Sequence, residues 1–111
     1  MAVWRTRAYD TFGFPLGSYS HARGKVDLFA DLVERAKTAV RDGDNESLSK
    51  IAEYVVWAAA QNSDELASAV DLAFFLPALG DPKLANQLES RMPEELLTTK
   101  RRCLVDPPAG G

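Results

Sequence analysis

Residues 25–61, KVDLFADLVERAKTAVRDGDNESLSKIAEYVVWAAAQ, decide the fold. Phe29, Leu32, Val33, Ala36 and Val40 recur at steps of three and four, which is one apolar stripe of an amphipathic helix over residues 25–42. Gly43 stands where a helix needs a left-handed stop. Asp44 or Asn45 can then cap a second helix over 45–61, with Glu46 at the positive end of its dipole. Leu48, Ile51, Ala52, Val55 and Ala59 form its main stripe. So short and polar a link sets the two helices antiparallel.

Outward from this hairpin the pattern stays helical. Ser63 caps a third helix over 64–76, with Asp64 and Glu65 in its first turn and Leu66, Val70, Ala73 and Phe74 on one face. Leu72, Phe75 and Leu76 spread apolar groups around the rest, which suggests a central helix, and Pro77 ends or kinks it. Gly80-Asp81-Pro82 reads as stop, cap and first helical residue for a fourth helix over 82–91. Pro93 starts a short fifth helix to Arg101, whose last turn carries Lys100 and Arg101, with Arg102 just beyond.

Residues 1–24 carry Gly13, Pro15, Gly17 and Gly24, which punctuate rather than propagate helices. The same stretch holds Trp4, Tyr9, Phe12, Phe14, Leu16 and Tyr19, too many large apolar groups for a solvated tail. The expectation is all-α: a compact antiparallel bundle of four to five helices over 25–102. An irregular, aromatic-rich N-terminal arm (1–24) packs on it, and a disordered tail (103–111) follows.

With 111 residues, 46% hydrophobic and 26% charged, the chain suits one ordinary globular domain. No apolar run reaches the length of a membrane span, and the start lacks the apolar core of a secretory signal. The single cysteine, Cys103, excludes an internal disulfide and suits a reducing cytoplasm. Charge is sorted by position. Val26 to Thr99 holds fourteen Asp and Glu against six Lys and Arg, a net of −8, while the first 25 residues net +3 and the last twelve +2. An acidic body with basic ends makes a field that charged partners read. A pI near 5.1 argues against direct nucleic-acid binding.

No catalytic signature accompanies the field. His21 is the only histidine and lacks ligand spacing, so neither a metal nor a cofactor is expected. Cys103 follows three cations, which would make its thiol more acidic, but no histidine lies nearby in sequence. Gly13-Phe14-Pro15-Leu16-Gly17 lacks the ending of a phosphate loop. The helical pairs Asp27/Asp31 and Asp31/Glu34 could serve acid–base work or hold a hard cation, or form a solvated acidic face.

Glu53 and Asp71 sit inside strongly apolar helical stretches. Either they pair internally, with Arg5, Arg7 or Arg23 of the arm, or they join Trp57 and Phe75 in an outward patch of aromatics and negative charge. Trp57 points nearly opposite its helix's main stripe, so this helix is buried on two sides or Trp57 belongs to a contact surface.

From Leu28 to Leu88 the chain resembles a family of small bacterial all-α domains of unknown function. The resemblance rests on Asp31-Leu32-Val33, Gly43-Asp44 before Leu48 and Ile51, Glu53-Tyr54-Val55, Val70, Phe74-Phe75-Leu76, Leu84 and Leu88. Such proteins are similar to the immunity proteins encoded beside bacterial toxins. The resemblance implies a bundle that binds another protein; joined to the acidic helical face, it gives the expectation of a non-enzymatic cytoplasmic immunity protein that neutralises a cognate toxin domain, a basic one such as a nuclease. The residues expected to touch that partner are Glu53, Trp57, Asp64, Asp71 and Phe75. The alternative is a self-associating adaptor module, a homodimer formed through the arm or through the second and third helices. A small enzyme using a carboxylate pair is a third reading.

Overall fold

The computed structural model describes residues 3–13, 24–61 and 63–102. Among these the structure is all-α, a bundle of six helices: α1 (Val3–Phe12), α2 (Gly24–Asp42), α3 (Asn45–Ala59), α4 (residues 64–79), α5 (Pro82–Glu89) and α6 (Glu94–Lys100). The expected arm is thus corrected over 3–12, which form a helix. Trp4 and Ala8, one turn apart, are buried, and Phe12 one turn further packs on the core. The N–H of Gly13 closes α1 onto Tyr9 O at 2.8 Å with φ of +76°, a left-handed stop that glycine adopts freely. The remainder of the expected arm and the expected tail lie outside the described residues.

The α2–α3 hairpin forms as its sequence predicts. Gly43 has φ of +72°, and the N–H of Asp44 reaches back to Ala39 O at 2.8 Å. Asp44 caps α3: its carboxylate accepts from Ser47 N at 3.1 Å and from Ser47 Oγ at 2.7 Å. The stripe residues Phe29, Leu32, Val33 and Ala36 of α2 meet Leu48, Ile51, Ala52 and Val55 of α3 in one apolar core. Asp81 caps α5 through Lys83 N and Leu84 N, with Pro82 at the first turn. Arg91 ties the end of α5 to the start of α3, its guanidinium donating to Gln87 O at 3.0 Å and Asn45 Oδ1 at 2.9 Å.

The helix α4 departs from expectation. It does not stop at Pro77 but runs to Leu79, because residues Val70–Phe75 wind as π-helix. The Leu76 N–H donates to Asp71 O, five residues back. Pro77 has no N–H to give, and it stands at the start of the α turn that follows, where a missing donor costs least. The wide turn lets Ala73, Phe74 and Phe75 all bury, while Leu72 remains 63% and Leu76 42% exposed. The helix packs on α2 through Val70, Phe74 and Phe75, and its other side faces outward.

At the centre of the packing lies Tyr54, 1% exposed. Its ring contacts Phe12 edge-on at 5.3 Å, Phe29 at 5.8 Å and Trp57 at 5.7 Å. Its hydroxyl donates to Trp4 O at 2.7 Å, joining α1 to α3. Tyr54→Phe keeps the ring contacts and removes this bond. The expected loss is about 1 kcal/mol of stability, read by denaturant melts, with faster amide exchange in α1 than in α2.

Two side chains set pH limits. Both Ser47 donors, helped by Lys50, hold the Asp44 carboxyl below its ordinary 3.8. That contribution is present above about pH 4 and is lost as pH falls through the lowered folded value. Burial pushes the Tyr54 phenol above its ordinary 10.0, against a smaller opposing effect of Arg7. Past pH 10.0 the unfolded chain ionises first, so stability falls as pH rises. Denaturant midpoints across pH should decline at both ends, and one phenol should titrate only as the chain unfolds.

Candidate interaction surface

The five residues expected to touch a partner do not form one patch. Phe75 is fully buried, its ring edge-on to Phe74 at 5.7 Å. This corrects its place as a contact residue: the π turn swings it inward. Asp71 is half-buried and already engaged. Lys100 Nζ of α6 lies 2.7 Å from Asp71 Oδ1 and 5.7 Å from the centre of the Phe75 ring. That oxygen is shielded from solvent and meets the ammonium as an ion pair rather than an aligned hydrogen bond. Asp71 thus has an internal partner, but from the C-terminal helix instead of the arm. Arg23 and the side chain of Arg5 lie outside the described structure.

Trp57 is half-buried, with the Arg7 guanidinium 4.7 Å and the Tyr54 ring 5.7 Å from its ring centre. Such a cation–π contact is worth about 0.5–1 kcal/mol at an exposed site. The helix α3 is therefore buried on two sides, by the core and by α1. Lys25 covers Trp4 similarly at 5.6 Å. A cation of α1 and one of α2 thus each lie against an indole ring.

Glu53 and Asp64 remain outward. Glu53 is exposed on α3, and Asp64 is exposed in the first turn of α4, where the Leu66 N–H donates to Ser63 Oγ at 3.3 Å. Neither forms an ion pair among the described residues. The same holds for Glu94 and Glu95, exposed in the first turn of α6. Elsewhere surface carboxylates face cations: Glu34 with Lys37 at 3.9 Å, Asp42 with Arg41 at 3.3 Å, Glu46 with Lys50 at 3.6 Å, Glu65 with Lys25 at 3.4 Å and Glu89 with Arg101 at 3.2 Å. Exposed pairs of this kind contribute little stability. A partner's cations can compete for those carboxylates.

A cleft of about 450 Å³ lies between the end of α1, the last turns of α2 and the first turns of α3. Its wall mixes Phe12 and Ile51 with Thr11, Thr38, Arg35 and Lys50. Asp44 on its rim is committed to Ser47. Asp27 and Asp31, read as possible acid–base or cation ligands, each interact with a neighbour, and Glu34 faces Lys37. Among the described residues no group of His, Cys, Asp and Glu is placed to hold a metal ion. His21 and Cys103 lie outside them. Nor is any helix of the described residues long and apolar enough to cross a membrane.

Sequence reasoning missed Leu72 and Leu76. Their spacing of four, in line with Asp64 and Ser68, was visible. The reading that gives an outward patch names Phe75 and Asp71 as contact residues in their stead. A substitution separates the two roles: Phe75→Ala should cost about 3–5 kcal/mol of stability, whereas Leu72→Ser should leave the melting temperature nearly unchanged. No known protein family, curated protein or solved structure matches this chain.

Proposed function

We propose that this chain is a non-enzymatic binding protein of immunity type, which docks onto a basic toxin domain such as a nuclease and obstructs its active site or substrate groove. The observation that supports this reading is the set of outward carboxylates, Glu53, Asp64, Glu94 and Glu95, carried on firm helices without ion pairs among the described residues. Firm carriage matters because a preorganised surface loses little entropy on binding. Opposite fields then accelerate encounter, and the effect fades with salt. The cytoplasm, where a self-protecting protein would meet its toxin, belongs to the same proposal. Trp57, in contact with Tyr54 and Arg7, contributes its exposed edge at most.

The test is co-expression with the product of the adjacent gene. The expected result is a stable complex whose association rate falls as salt is added. Glu53→Lys with Asp64→Lys should slow association about tenfold with little change in stability. Absence of a complex, or a complex indifferent to both salt and charge reversal, defeats the reading.

A further inference from the structure

We infer that the outward face of α4 is the seat for a basic amphipathic helix of a partner protein. This deepens the binding function proposed above and rests on it. Asp64, Ser68, Leu72 and Leu76 follow one another at intervals of four, and all are exposed, as is Glu65 beside Asp64. They line one side of the helix over roughly three turns. The upper end is anionic and the lower end apolar. Leu72 and Leu76, at 63% and 42% exposure, are two of the three large apolar side chains exposed among the described residues.

Charge identifies the occupant. From Ile51 to Pro82 the sequence contains no Lys or Arg, but carries Glu53, Asp64, Glu65, Asp71 and Asp81. Among the described residues, Lys25 lies 3.4 Å from a Glu65 side chain that stays 85% exposed, and Lys100 engages Asp71 beside Leu72. Asp64 has no ion pair among the described residues. The fitting surface therefore offers two apolar side chains one turn apart, with Lys or Arg one to two turns further along. That is the pattern of a cationic amphipathic helix. Anionic lipid and nucleic acid meet the wrong sign here. A second copy of this chain is also disfavoured, because its own α4 brings no cation to meet Asp64 and Glu65.

The ridge exists because of the π turn. Winding five residues back places Phe74 and Phe75 together in the core and leaves Leu72 and Leu76 aligned outside. The anchor residues can therefore change without disturbing the interior, which makes them clean to test.

The full chain, isotope-labelled, is titrated with a synthetic helical peptide of about 16 residues, long enough to span the ridge. The peptide carries two leucines one turn apart followed by two lysines, and a control carries glutamates in place of the lysines. The expected result is chemical-shift change centred on Ser68, Leu72 and Leu76 with the lysine peptide alone, weakening with salt. Affinity should fall about tenfold or more in Leu72→Ser/Leu76→Ser, and also in Asp64→Lys, with melting temperatures preserved. No binding, shifts centred on Trp57 and Arg7, or equal response to the control peptide overturns the inference. So do shifts at Leu72 and Leu76 that grow with protein concentration before any peptide is added, which would assign the face to a second copy. An adjacent-gene product that binds Leu72→Ser/Leu76→Ser as tightly as the unaltered chain removes this seat but leaves the toxin-binding reading standing.

Discussion

A phenol in a dry interior must find an acceptor, and the structure turns on how Tyr54 finds one. Its hydroxyl lies where water does not reach, and the carbonyl of Trp4 supplies the bond. That bond, together with the burial of Trp4 and Ala8, holds α1 against the hairpin, with Phe12 edge-on to the tyrosine ring and Arg7 over Trp57. The N-terminal helix is consequently part of the core. The same contacts cover the second side of α3 and limit how much of Trp57 any partner could touch.

Much of this was legible in the residues. The α2–α3 hairpin follows from the stripes beginning at Phe29 and Leu48 and from the Gly43-Asp44 link, because a 3.6-residue period and a left-handed stop are local properties. Caps at Ser63 and Asp81 were equally local. The helix α1 was obscured by the glycines and proline just after it, although Trp4, Ala8 and Phe12 already stand one turn apart. Its stability comes from tertiary burial, which no window of twelve residues contains.

The contact surface was harder to read, for a specific reason. A helical wheel assumes one period, and α4 uses two. Where the chain winds five residues back, wheel positions shift, so Phe75 turns inward while Leu72 turns outward. The partner of Asp71 was also out of reach of sequence. Lys100 is 29 positions away, and only the path of α5 and α6 brings them to 2.7 Å. For Glu53 the sequence left an internal pair and an outward place both open, and the structure leaves it exposed, as it does Asp64 in the first turn of α4.

A π turn is, in effect, one residue more than an α helix needs to cover the same rise. In α4 the surplus emerges on the water side, at Leu72. The two sides of this helix are thereby uncoupled: its buried aromatics are held by the core, and its outer edge is free to drift in sequence. Substitutions could change the character of this edge one by one while the interior kept the same register throughout.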